Sequence, residues 1–163
     1  MAAPSERLSE LGLELPAVAA PVAAYVPAVR DGDIVYTSGQ LPFVDGELPH
    51  KGLVGSRAND VSPDAAKDMA RIAVLNALAA AAEIAGGIDN IERIIKLTGF
   101  VASADRGALG ERFTGQPGVI NGASELLGEI FGEAGQHARS AVGVAALPLD
   151  APVELELIVR VSA

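Results

Sequence analysis

Arg139 and Glu154 are the two side chains on which carboxylate chemistry could be built. An arginine presents a planar fork of N–H donors that matches a carboxylate two to two, a geometry lysine cannot copy. A glutamate whose proton affinity is tuned by burial or by a neighbour can place a water or carry a proton. Both residues open apolar runs that read as strands. His137 to Pro148 contains Ala138-Arg139-Ser140-Ala141-Val142, and Val153 to Val161 contains Val153-Glu154-Leu155-Glu156-Leu157. The connection Leu147-Pro148-Leu149-Asp150-Ala151-Pro152 is short enough for a hairpin, and its prolines, lacking an N–H, suit strand ends. The two charges are therefore expected on neighbouring strands. On spacing alone, a structural ion pair accounts for Arg139 more simply than a ligand does. A solvated acid on an open sheet face does the same for Glu154.

Other polar residues have paired readings. Tyr25 is a cleft wall or a packing residue, and Ser38-Gly39 offers backbone N–H groups or merely ends a strand. Asn121 lies on a helix, where capping or an interhelical contact is the plain alternative, and His137 reads as a loop residue beside its strand. The chain has no phosphate-binding loop, no Gly-x-Ser-x-Gly elbow and no EF-hand loop. With no cysteine and two histidines far apart, it has neither a disulfide nor a metal motif, and no metal or cofactor is expected. A net charge of −9 with no basic run leaves little to neutralise phosphates, so nucleic acid is not an expected partner. The first ten residues lack an apolar signal region and no stretch is apolar enough to span a bilayer. A cytoplasmic protein without a membrane partner is the expectation.

The elements that must position these residues follow in order. Ser5 to Leu15 reads as a short helix, and Pro16 to Pro21 as extended. Tyr25–Val29 and Ile34–Ser38 form a hairpin about Asp31-Gly32-Asp33, and Phe43 to Asn59 is mostly loop, with a turn at Asp45-Gly46. Ser62-Pro63-Asp64 caps a long helix over Ala65–Ala85, with Met69, Ile72, Ala73 and Asn76 on one face and Gly86-Gly87 ending it. Ile91 to Ser103 holds a buried strand, Asp105 to Gln116 is irregular, and Pro117 starts a second amphipathic helix with Gly132 at its end. The order β-β-α-β-α-β-β predicts an α+β two-layer domain, a mixed sheet covered by two helices on one face. Val153, Leu155, Leu157, Val159 and Val161 would meet the helices. The other face, with Val142, Val144 and Ile158, stays partly apolar and favours self-association.

Taken in order, Tyr25-Val26, Thr37-Ser38-Gly39-Gln40-Leu41-Pro42, Ala138-Arg139-Ser140-Ala141-Val142 with Ala146-Leu147-Pro148, and Val153-Glu154-Leu155-Glu156 resemble the Rid family, also called YjgF-type or endoribonuclease L-PSP. The resemblance runs from about Tyr25 to Val161. It implies residues 1–24 as an N-terminal extension before a single Rid-like domain over 25–163. It also implies a chorismate-mutase-like fold and a homotrimer with clefts between subunits. The best-studied branch hydrolyses enamine and imine acids to 2-oxo acids and ammonia without a cofactor. By position, Arg139 would clamp a substrate carboxylate and Glu154 would place the water. Tyr25 and Asn121 would line the cleft near Ser38 and Gly39. Ala141 stands where the deaminase branch commonly has cysteine, and the 43–59 and 105–116 segments are longer than in compact members. The runs Gly99–Ser103 and Asn121–Glu125 resemble branches that keep the fold without established deaminase activity. Three expectations follow: an imine/enamine deaminase, a trimeric protein that binds small carboxylates such as 2-oxo acids without turnover, and the ribonuclease of the family label. The acidic charge disfavours the last.

Overall fold

The computed structural model describes residues 2–18, 20 and 24–163. Its elements are α1 (Pro4–Glu10), β1 (Ala28–Asp31), β2 (Ile34–Thr37), α2 (Pro63–Ala85), β3 (Ile91–Ala102), α3 (Gln116–Phe131), β4 (Ala138–Val144) and β5 (Val153–Val161). One mixed sheet in the order β1-β2-β5-β3-β4 carries α2 and α3 on one face, the α+β two-layer arrangement expected from the pattern.

Helix α2 begins where the sequence signals it. Ser62 accepts a hydrogen bond from the Ala65 N–H, Pro63 occupies the first turn where its missing N–H costs nothing, and Gly86 closes the helix in the left-handed region. Its alanines let the neighbouring elements approach closely. At Gly122 of α3, a Cβ would come within 2.1 Å of the Lys67 carbonyl oxygen, so only glycine permits this helix–helix approach. The core between helices and sheet includes Leu78, Ile94, Leu97, Ile120, Leu126, Leu155 and Leu157, all fully buried.

The alternation in β5 is as read: Val153, Leu155, Leu157, Val159 and Val161 are buried, while Glu154, Glu156 and Ile158 lie on the open face. Several boundaries move. The first strand starts at Ala28, after Pro27, leaving Tyr25 and Val26 outside it and exposed. The first helix ends at Glu10 rather than Leu15, and of the extended stretch expected to Pro21, residues 19 and 21 lie outside the described residues. Residues of that expected N-terminal extension are packed into the domain. Leu8 joins the buried core, and Ser5 is held by Asp89 through its backbone N–H and its hydroxyl at 2.8 and 2.7 Å.

The larger correction concerns the last two strands. They are not a hairpin. β5 pairs antiparallel with β2 on one edge and with β3 on the other, so neither edge is left for β4. β4 instead pairs parallel with the far side of β3, as the second strand of a β3-α3-β4 crossover. The short connection only has to pass the end of β3, two strand spacings or about 10 Å, which its residues span easily.

Candidate carboxylate site

This topology separates Arg139 from Glu154. Arg139 lies opposite Leu97, and Glu154 opposite Phe100, on either side of β3. Three residues along the strand and two strands across place their Cα atoms about 14 Å apart. They also project to opposite faces. Leu97 is a core residue under the helices, whereas Phe100 and Glu154 alternate with the core residues Val101 and Leu155. Within one copy of the chain, the two cannot close on the same small molecule.

Arg139 is part-buried against α3. Its Nη1 donates to Asn121 Oδ1 at 2.7 Å and to Ser124 Oγ at 3.2 Å. Asn121 and Ser124 are one helical turn apart, so they share a face and reach the same guanidinium end. Both Nη1 protons are thereby used, and among the described residues the edge formed by Nε and Nη2 has no hydrogen-bond partner. Among the described residues no carboxylate lies within 4 Å of Arg139. The ion pair that spacing alone favoured is not formed. Beside it a shallow cleft of about 370 Å³ is lined by Ser124, Gly128, Gly135, Gln136, His137 and Arg139.

Glu154 belongs to a second group, on the open face of the central strand β5. Gln40 is bridged to β5 through both backbone bonds with Leu155, at 2.7 and 3.1 Å. Ser38 donates its N–H to Pro27 O at 2.8 Å and its hydroxyl to Val26 O at 2.6 Å. Asn76 of α2 donates to the carbonyls of Leu41 and Phe43, fixing the chain just beyond. Gly39 is thus held directly against Glu154: a Cβ there would lie 2.0 Å from Glu154 Oε1. Burial pushes the Glu154 carboxyl above its ordinary range, and the adjacent Glu156 pushes the same way. That is the direction a proton-carrying acid needs.

The sequence-predicted residues therefore fall into two groups. Arg139 and Asn121 meet, Gly39 and Glu154 meet with Ser38 next to Gly39 in the chain, and Tyr25 lies exposed near the strand entry, 49 % accessible. Ala141 sits opposite Gly99 on the helix-facing side of β4, packed against the core, two residues from Arg139. Ser124 was not singled out by the sequence. A polar pair at Asn121 and Ser124 on an otherwise apolar helix face was the signal available. Among the described residues no group of three metal-ligating side chains occurs.

Comparison with known proteins bears on this arrangement. A family model described as "YjgF/chorismate mutase-like, putative endoribonuclease" matches residues 5–160. The chain is 39 % identical to Protein TCP17 of Trypanosoma cruzi over 156 residues, covering 95 % of this chain and 92 % of that one. It superposes on Atu1372 of Agrobacterium tumefaciens, a protein of unknown function, with a TM-score of 0.83 at 41 % identity, covering 98 % and 92 % of the two chains. E. coli TdcF with bound serine gives a TM-score of 0.62 at 28 % identity, covering 90 % and 94 %.

Proposed function

The chain belongs to the YjgF/chorismate mutase-like family, and on that premise we propose that it hydrolyses small 2-imino or enamine acids to 2-oxo acids and ammonia, at sites shared between copies of a homotrimer. The observation that carries this reading is Arg139. A part-buried cation held, among the described residues, only by neutral oxygens at Nη1 is prepared for a carboxylate on its Nε/Nη2 edge. The serine bound to TdcF, a small molecule with a carboxylate, fits the same kind of ligand.

An imine carbon is already electrophilic, so holding the carboxylate and placing a water do most of the work. Water adds to the imine carbon, a C–O bond forms, and the C=N π pair moves to nitrogen. Glu154 takes a proton from that water and gives it to nitrogen, forming the carbinolamine. Glu154 then moves the hydroxyl proton to nitrogen, the oxygen pair forms the C=O bond, and the C–N bond breaks to release ammonia and leave the 2-oxo acid. An enamine first takes a proton at carbon to become the imine. Because Arg139 and Glu154 project to opposite faces of one sheet, Arg139 of one copy would act with Glu154 of another. Exposed Val29, Tyr36 and Val142 on the helix-free face support such association.

The test is release of 2-oxo acid from freshly generated imines. Acceleration over buffer that disappears in Arg139→Ala is expected; no acceleration removes the enzymatic reading. Ala141, in place of the cysteine common in the deaminase branch, favours a second reading, a trimeric binder of small carboxylates without turnover. Calorimetric binding of pyruvate with no turnover would select it. The ribonuclease of the family description has a net charge of −9 against it.

A further inference from the structure

His137 has the most constrained hydrogen bonds around Arg139. Its Nδ1 lies 2.6 Å from the carbonyl oxygen of Gly135, and a carbonyl can only accept, so Nδ1 carries the proton. That carbonyl is not free to turn away. Gly135 is pressed so closely on α3 that a Cβ would sit 2.3 Å from the Leu127 oxygen. Neutral His137 therefore offers Nε2 as an acceptor, and the Ser124 hydroxyl donates to it across 3.0 Å. The Ser124 lone pairs are left to Arg139 Nη1. The chain runs one way, from Arg139 to Ser124 to His137 to Gly135, and such chains strengthen each member.

We propose that Ser124 and His137 are positioning residues for the Arg139 clamp: the imidazole fixes the Ser124 hydroxyl, and that hydroxyl with Asn121 fixes Nη1 for capture of a carboxylate in the cleft. This rests on the carboxylate reading above. With both Nη1 protons held, the guanidinium is anchored at that end where Arg139 lines the cleft.

The surrounding charges leave this chain of hydrogen bonds intact. On α3, Glu125 is engaged by Lys67 and Glu129 by Arg71. Glu133 on the turn before His137 is exposed, and Lys96 of β3 lies opposite Ala138. Among the described residues none of these acids forms an ion pair with His137 or Arg139.

Two measurements test the proposal. Nitrogen NMR of the labelled protein near neutral pH should find His137 protonated at Nδ1, with Arg139 side-chain N–H signals that sharpen or shift only while Ser124 is present. An Nε2-protonated His137, or Arg139 signals indifferent to Ser124→Ala, overturns it. Calorimetry with pyruvate should show binding that Ser124→Ala weakens about fivefold or more and Ser124→Thr keeps. His137→Gln, which retains an acceptor for the hydroxyl, should keep more affinity than His137→Ala. Equal affinity in the wild type, Ser124→Ala and His137→Ala overturns the positioning role. If the wild type binds no pyruvate, the carboxylate reading falls, while the spectra still decide the positioning relay.

Discussion

Two part-buried arginines in this chain are held in opposite ways. Arg106 lies between Asp60 and Glu111, with its Nη2 on Asp60 and its Nη1 2.8 Å from Glu111. The same glutamate accepts the Ser56 backbone N–H at 2.8 Å, so one cation staples the segment before α2 to the segment before α3. Asp60 is held below the usual carboxylate range, first by the Arg57 backbone N–H and then by Arg106, against an opposing contribution from burial. Arg139 has no acid. Its neighbours are an amide and a hydroxyl, which orient the guanidinium without cancelling its charge. A neutralised arginine is a structural tie, and an arginine positioned by neutral acceptors is a receptor for an anion. The 43–59 and 105–116 segments owe part of their order to the first kind.

The contrast is most sharply tested at Arg139. Arg139→Ala should weaken binding of a 2-oxo acid by about 100-fold, since charge-assisted hydrogen bonds are lost, while the melting temperature moves by no more than about 2 °C. A large loss of stability with little loss of binding would make Arg139 a structural tie like Arg106. Next comes Gly39→Ala, whose Cβ must displace the end of the Glu154 side chain. Turnover should fall about tenfold or more with binding nearly kept, because a flexible carboxylate can move without disturbing the fold. Equal losses in both would place Glu154 in ligand binding instead.

Arg106→Met should reverse the Arg139 pattern, lowering the melting temperature by roughly 5 °C and leaving pyruvate affinity within about twofold. A variant that unfolds no earlier would show that the staple is idle. The smallest effect is expected at Glu154. Its carboxyl is raised by burial and by Glu156, so the folded state binds that proton more tightly than the unfolded chain does. The stabilisation is present below the unfolded value and is lost as pH rises through the folded one. Glu154→Gln should therefore melt slightly higher than the wild type at pH 7, with the gain vanishing in acid. Asp60 has the opposite sign. Its contribution is present at neutral pH and is lost as pH falls through its depressed folded value, so Asp60→Asn should cost stability at pH 7 and little near pH 2.

Local signals were dependable where a single turn of chain decides the outcome. Ser62, Pro63 and Gly86 bound α2 as their types require. Asp45-Gly46 turns a tight bend with both residues at positive φ, closed by Val44 and Glu47. The alternation of β5 placed its apolar side correctly because a strand has a period of two whatever its neighbours are. The pairing of that strand was not legible. A six-residue connection suits a hairpin equally well as a step past an intervening strand. What excludes the hairpin is that β2 and β3 already use both edges of β5.

The sequence by itself determined the two layers, the buried side of β5, the family, and the identity of Arg139 and Glu154 as residues to watch. Those follow from periodicity, capping and residue type, which act over a few neighbouring positions. Of the face expected for α2, Met69 and Ala73 are buried and Ile72 and Asn76 only part-buried. Tertiary structure alone decided that these two residues project to opposite faces about 14 Å apart. It also decided that Arg139 is oriented by Asn121, Ser124 and, through Ser124, His137. The reason is that strand order and helix docking are set by long-range competition for hydrogen-bonding edges and core contacts, and no local stretch of chain records its outcome.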